Sequence, residues 1–216
     1  MNRILILCEG QTEETFVKRI LYPHLLSFGK VAVPTVLTTK KVKAGHEFKG
    51  GITSYTHIRR EVQHLLRDMD AICVTTILDY YGLPNNFPGK DTLPRGTPYE
   101  RVNYLEQKFL VDIGAPRFLP YLMLHEFEAL LFVDLEIVIG TLASPIAPQQ
   151  FGDLGHFSSP EEINEGRQTH PAARLQHHLP GYRKALHGPL SVERIGLPRI
   201  REQCRHFDEW LNKLES

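Results

Sequence analysis

Residues 4–14 read Ile4-Leu5-Ile6-Leu7-Cys8-Glu9-Gly10-Gln11-Thr12-Glu13-Glu14, and the fold class turns on this stretch. The unbroken run of isoleucine and leucine from Ile4 to Cys8 predicts a strand buried on both faces of a sheet. Gly10 punctuates it. From Thr12 the apolar residues fall at Phe16, Val17, Ile20, Leu21 and Leu25, the stripe of a helix that packs back onto that sheet. The unit is a strand, a tight turn and a helix, with Glu9 standing at the turn.

The pattern recurs along the chain. Val31 to Thr38 predicts a second strand, and Pro34 within it points to an edge position because proline cannot donate to a ladder. Ile58, Val62, Leu65, Leu66 and Met69 mark a second helix. Ala71 to Leu78 is the next buried strand, ending at Asp79 before a Gly- and Pro-rich loop from Gly82 to Gly96. Thr97-Pro98-Tyr99-Glu100 combines a capping box with proline at the first helical position, so a helix starts there with Val102, Leu105 and Phe109 on its core face. Phe118 to Leu124 predicts a further strand, interrupted by Pro120. Strands alternating with helices predict an α/β fold with a mostly parallel sheet flanked by helices. The strands and helices of this sheet occupy residues 1–140. Past Thr141, Pro145, Pro148, Gly152, Gly155 and Pro160 break the chain into a helical, loop-rich C-terminal lobe (141–216) packed on the first unit. It closes with a helix carrying Ile200, Cys204, Phe207, Leu211 and Leu214.

The chain has 216 residues, 42% hydrophobic and 23% charged, which fits ordinary globular structure and excludes a disordered tail or coiled coil. Lysine plus arginine total 25 and so do aspartate plus glutamate, so no bulk field drives the chain onto DNA or an anionic membrane. The longest apolar runs fall far short of the roughly 20 residues that span a bilayer. Three widely spaced cysteines, Cys8, Cys73 and Cys204, suit buried thiols in a reducing compartment, and the N-terminus lacks the pattern of a secretory signal; both lead to the expectation of a cytoplasmic protein.

In an open parallel sheet the ligand crevice lies beyond the carboxyl ends of the strands. Glu9 follows the first strand, Asp79 follows the Ala71 to Leu78 strand, and Glu126 with Glu128 follow the Phe118 to Leu124 strand. Three strand ends therefore deliver carboxylates to one edge. Clustered carboxylates raise one another's pKa unless a cation is shared, and a hard divalent ion such as Mg²⁺ or Mn²⁺ is the economical partner. Glu13 adds a carboxylate one turn into the first helix, where the plainer reading is a favourable interaction with the helix dipole. If extended, Glu126 and Glu128 point the same way; if helical, they diverge by about 200° and only one faces the crevice. Glu126 is the favoured member. His125 reads as a hydrogen-bonded structural residue.

These motifs resemble a known group. Cys8-Glu9-Gly10-Gln11-Thr12-Glu13, followed by a strand ending in Asp79, resembles the Toprim fold of topoisomerases, primases and the overcoming-lysogenization-defect nucleases. The whole chain more closely resembles a bacterial family of Toprim-like proteins described only as a domain of unknown function (DUF4276-like). That resemblance rests on the first motif, on Asp79-Tyr80-Tyr81-Gly82-Leu83-Pro84 with Phe87-Pro88-Gly89, on His125-Glu126-Phe127-Glu128-Ala129-Leu130-Leu131-Phe132, and on Tyr182-Arg183-Lys184 with His187-Gly188. It implies a Mg²⁺ site built from the first glutamate and an aspartate pair, acting on phosphodiester bonds of DNA or RNA. It also implies a neighbouring ATPase partner and a role in defence against phage or foreign DNA. The chain departs from the Toprim pattern at the aspartate pair, where Asp-x-Asp appears as Asp79-Tyr80-Tyr81; Glu126 or Glu128 could supply a compensating carboxylate from another strand end.

Basic residues that can meet phosphates are Lys40, Lys41, Lys43 and Lys49 in a loop, and Arg174, Tyr182, Lys184 and His187 in the C-terminal lobe form another candidate set. The lysines also read as a solvated charged loop, and His187 as a structural residue. Tyr80 and Tyr81 either finish a core edge or stack on a base. The sequence therefore leads to a Mg²⁺-dependent phosphodiesterase or nuclease in which Glu9 holds metal or moves a proton, Asp79, Glu13 and Glu126 serve the metal, and Lys184 stabilises charge on the phosphate. Lys40, Lys41, Lys43, Tyr81 and Arg174 would contact nucleic acid. The alternative is a noncatalytic nucleic-acid or protein-binding subunit in which Tyr81 records a lost metal site.

Overall fold

A computed structural model describes residues 2–37, 54–152, 154–163, 166 and 168–216. Lys40, Lys41, Lys43 and Lys49, expected to contact phosphate, lie outside the described residues. The strands are β1 (Asn2–Cys8), β2 (Lys30–Val36), β3 (Ala71–Asp79), β4 (Phe118–Leu119) and β5 (Leu122–Met123). They form one parallel five-stranded sheet in the order β2-β1-β3-β4, with β5 also paired to β3. Among the described residues β2 pairs with β1 alone, the edge position that Pro34 requires.

β4 and β5 are two halves of one strand line broken at Pro120. The Thr76 hydroxyl fills the gap: it accepts from the Tyr121 backbone N–H at 3.1 Å and donates to the Tyr121 carbonyl at 2.8 Å. A side chain thus completes a ladder that proline, lacking an N–H, interrupts.

Alternation along the strands sorts the core into two layers. Ile4, Ile6 and Cys8 face Phe16, Val17, Leu21 and Leu25 from the first helical stretch, whereas Leu5 and Leu7 face the opposite layer. That stretch is α1 (Gln11–Phe16), a π segment at Val17–Leu21 and α2 (Tyr22–Leu26). The opposite face is covered by α3 (Tyr55–Leu65) through Ile58, Val62 and Leu65, and by α4 (Pro98–Ile113) through Val102, Leu105 and Phe109. α4 opens on its capping box: Thr97 Oγ1 accepts from Glu100 N, and Thr97 N donates to Glu100 Oε2 at 2.8 Å. The loop after Asp79 contributes Leu83 and Phe87 to the same layer. Met69, assigned to the second helix by its spacing, lies beyond α3 and is exposed.

The C-terminal part is helical and loop-rich, as expected, and completes the layer beside the first helical stretch. It holds α5 (Leu135–Thr141), α6 (Pro171–His178), α7 (Lys184–Ile195), α8 (Leu197–Gln203) and α9 (Arg205–Glu215). α9 crosses the strands. Its His206 ring stacks on Tyr121, its Trp210 Nε1 donates to Thr75 Oγ1 at 2.9 Å, and the carbonyl of Leu214 accepts from the buried Lys30 Nζ at 2.9 Å. The last contact places a cation at a helix C-terminus. Glu161 fixes the other end, accepting from the His206 and Phe207 N–H groups at 2.9 and 3.0 Å. Among the described residues no helix is long and apolar enough to cross a membrane.

Thr76→Val preserves shape but strips both bonds to Tyr121, leaving a buried N–H unmatched. It is expected to cost about 1–3 kcal/mol of unfolding free energy, read as a lower urea midpoint at unchanged slope. An unshifted midpoint would show that the break at Pro120 needs no substitute.

Candidate active site at the carboxyl edge of the sheet

The chain leaves β1 for β2 on one side and reaches β3 on the other, so the strand order reverses at β1 and the crevice lies beyond the ends of β1 and β3. Glu9 and Asp79 stand at those two ends. The Glu9 side chain reaches across and accepts the Asp79 N–H through Oε2 at 3.0 Å. Glu13, on the first turn of α1 and 3% exposed, turns back so that Oε2 accepts the Gly10 N–H at 2.8 Å. Asp79 Oδ1 accepts the Phe127 N–H at 3.0 Å, capping the 3₁₀ segment Phe127–Val133 that follows β5.

The turn into that segment sets the directions of the remaining acids. His125 has φ of 61°, in the left-handed region, and Glu126 N donates to the Leu124 carbonyl at 2.9 Å across it. The chain reverses within three residues, a strained geometry of the kind that collects at functional sites. Glu126 and Glu128 diverge as the helical alternative required, but the members exchange roles relative to the sequence expectation. Glu126 Oε1 accepts from His170 Nδ1 at 2.8 Å and from Ala172 N at 2.6 Å, capping α6. Glu128, with 0% exposure, points at the crevice: its Oε2 lies 2.9 Å from Lys184 Nζ and its Oε1 accepts from Tyr182 Oη at 3.2 Å.

Lys184 opens α7 and bridges Glu128 to Asp79, whose Oδ2 is 3.4 Å from Nζ. Gly188, one turn further along α7, explains how the lysine gets there. A Cβ at that position would lie 3.3 Å from Phe127 Cε1 and from Tyr182 Oη, and 3.5 Å from Thr12 Cγ2. The missing side chain lets α7 seat closely on α1 and on the 3₁₀ segment.

Four carboxylates therefore share one ammonium. Burial first, then the charge of Asp79, pushes the Glu9 carboxyl up to about 8, and the same two causes push Glu13 up to about 7. Burial also pushes Glu128 up to about 7 against the opposing pull of Lys184. Burial disfavours the Lys184 charge, but Asp79, Glu128 and Glu13 outweigh it and hold its pKa above the ordinary lysine value. The negative charge exceeds what Lys184 neutralises, so the cluster must keep protons or acquire a cation. The donors are all carboxylate oxygens, the chemistry that a hard divalent ion prefers, and in this sense the residues fit Mg²⁺ or Mn²⁺. Among the described residues no three acidic, histidine or cysteine side chains are already gathered around one point. Glu9 and Glu13 are instead turned onto backbone N–H groups, which they would have to release to share an ion.

The other expected residues lie apart from this cluster. Arg174 on α6 donates through Nε to the Thr169 carbonyl at 2.6 Å. His187 Nδ1 accepts the Arg183 N–H at 2.9 Å. Tyr80 is 3% exposed and belongs to the core, whereas Tyr81 is 44% exposed and stacks on His170. Sequence reasoning missed Tyr182 as a Glu128 partner, His170 as the neighbour of Tyr81, and His125 as the residue that makes the turn. For His125 a signal existed, since histidine is enriched among non-glycine residues with positive φ.

The profile of a family described as a domain of unknown function, DUF4276, matches residues 8–215. Neither a curated protein nor a solved structure matches the chain.

The raised carboxyl pKa values set a pH dependence. Unfolded glutamates lose their protons near pH 4.3, whereas Glu9, Glu13 and Glu128 hold theirs to about 7 or 8 in the folded chain. Between those limits the folded state binds more protons, so stability falls as pH rises. In chelator, the Tm should decline from about pH 5 to about pH 8.5, and Glu9→Gln should flatten the upper part and raise the Tm at pH 8. Parallel curves for the two proteins would contradict the assignment.

Proposed function

For this chain, which belongs to the DUF4276 family, we propose metal-assisted hydrolysis of phosphodiester bonds in nucleic acid, DNA or RNA, at the Glu9–Asp79 crevice. The observation that carries the reading is the convergence of Glu9, Glu13, Asp79 and Glu128 on one edge with, among the described residues, Lys184 to offset them. The order of the motifs, which resembles Toprim proteins, supports the same chemistry. Glu9, Glu13 and Asp79 are the residues that would hold Mg²⁺ or Mn²⁺, with Glu128 taking the part first expected of Glu126. When bound, such an ion neutralises phosphate charge and lowers the pKa of its water.

The protein's own groups divide the rest of the work. Glu9, whose carboxyl burial and the charge of Asp79 push up to about 8 in the ion-free cluster, either holds the ion or, where it does not, accepts and returns a proton near neutral pH. Lys184 keeps its charge and its side chain is 38% exposed, so it is the cation placed to meet a scissile phosphate oxygen that enters the crevice. Glu128 and Tyr182 hold that lysine in place. Free buried thiols at Cys8 and Cys204 favour a cytoplasmic setting. The resemblance also favours a partner ATPase and a role against foreign DNA.

One observation favours a second reading. The Lys184 ammonium already sits between Asp79 and Glu128, where a cation would be needed, and Tyr81 stands in place of an acidic residue. A noncatalytic binding subunit would look the same.

Divalent ions separate the two. Millimolar Mg²⁺ or Mn²⁺ should raise the Tm of the wild type and leave Glu9→Gln and Asp79→Asn unmoved. The wild type should then cleave single-stranded or duplex DNA or RNA, and Glu9→Gln should lower that rate about 10²–10⁴-fold. Absence of any metal shift favours the binding subunit, and equal cleavage by both proteins would assign the activity to a contaminant.

A further inference from the structure

Two residues past Asp79 the chain presents a large aromatic ring to solvent. Tyr80 is buried and finishes the core edge, so that explanation is used up by one tyrosine and does not extend to the next. Tyr81 lies with its ring 5.1 Å from that of His170 and 20° from parallel, an offset stack. His170 is fixed from behind: its Nδ1 meets Glu126 Oε1 at 2.8 Å, and the same oxygen is held by the Ala172 N–H at 2.6 Å. Tyr81 is fixed through its backbone, whose N–H donates to the His125 carbonyl at 2.9 Å. A tyrosine and a histidine brought from distant segments of the chain thus form a two-ring stack that is 44% exposed at Tyr81.

We propose that the Tyr81–His170 stack is a platform for one unpaired base of single-stranded DNA or RNA, which sets the adjoining phosphate over the Asp79–Lys184 crevice. This rests on the nucleic-acid reading given above and narrows it to unpaired strands. One feature of the chain and two properties of nucleic-acid bases support it. Tyr81 and Asp79 are two residues apart and therefore within about 7 Å along the backbone, so a base on the ring brings its own phosphate to the carboxylates. Every base has a π face, so an aromatic ring without hydrogen-bonding partners at its face binds them with little sequence preference. A base inside a duplex has both faces occupied by its neighbours and cannot use the platform without unstacking. Glu126, which caps α6, on this proposal also orients the second ring.

Binding is measured by fluorescence anisotropy with labelled oligo-dT, oligo-rU and a blunt duplex, in chelator and again in Ca²⁺. The wild type should prefer the single strands. Tyr81→Leu should weaken them about 5- to 150-fold, the range one base–aromatic stack provides, and leave the duplex unaffected. Tyr81→Phe, which keeps the ring, should bind like the wild type, whereas His170→Ala should weaken single strands in the same direction as Tyr81→Leu. Tyr81 is exposed, so unchanged circular dichroism and Tm in Tyr81→Leu serve as the folding control. Equal affinity of Tyr81→Leu and wild type for single strands overturns the platform, as does an equal loss on duplex and single strand. Glu9-dependent cleavage that is indifferent to Tyr81→Leu would remove the platform and leave the hydrolytic reading standing; no oligonucleotide binding together with no cleavage would remove both.

Discussion

The ion pair of Lys184 with Asp79 and Glu128 is the constraint around which this end of the molecule is arranged. Glu128 is fully buried, and an ionised carboxylate there without its ammonium would cost several kcal/mol of desolvation. The lysine must therefore arrive, and it arrives on a helix 105 residues downstream of Asp79. Everything that brings α7 close serves that contact: the bare Cα of Gly188 against Phe127 and Thr12, the Tyr182 hydroxyl on Glu128, and the 3₁₀ segment capped by Asp79 itself. Asp79 consequently links the sheet edge to the helix layer, with one oxygen on a backbone N–H and the other toward the lysine.

The same arrangement leaves the site electrostatically unfinished. One ammonium answers two of the four acids directly, while Glu9 and Glu13 lean on backbone N–H groups and retain protons near neutral pH. A purely structural cluster would gain from amides in place of these carboxylates, because buried amides carry hydrogen bonds without the charge penalty. Retaining acids at a strand-order reversal, where ligands of open α/β sheets bind, is the pattern expected of groups that handle cations or protons.

Much of the architecture was legible because it is local. The apolar run at Ile4 to Cys8, the proline that confines β2 to an edge, and the capping box at Thr97 each specify their element within a few residues. Strand ends could be found from the same patterns, and with them Glu9 and Asp79. The choice between Glu126 and Glu128 was not legible. It depends on the positive φ of His125 and on a 3₁₀ path whose side-chain directions follow neither the strand nor the α-helical period. Nor could spacing reveal that His170 would stack on Tyr81, or that Tyr182 and Lys184 would meet Glu128. These are contacts between segments 54 to 89 residues apart, and they are decided by how α6 and α7 settle on the sheet. Met69 shows the converse error, a correct period continued past the end of its helix.

The central claim is that these acids converge to hold a cation that Lys184 only partly replaces. A crystal soaked in Mn²⁺ and measured at the manganese edge tests it most directly. The account predicts one anomalous peak at about 2.1 Å from oxygens of Glu9, Glu13 and Asp79, with both glutamates released from their backbone N–H groups. A featureless map, with Lys184 still bridging Asp79 and Glu128 and both glutamates still tethered, would contradict it.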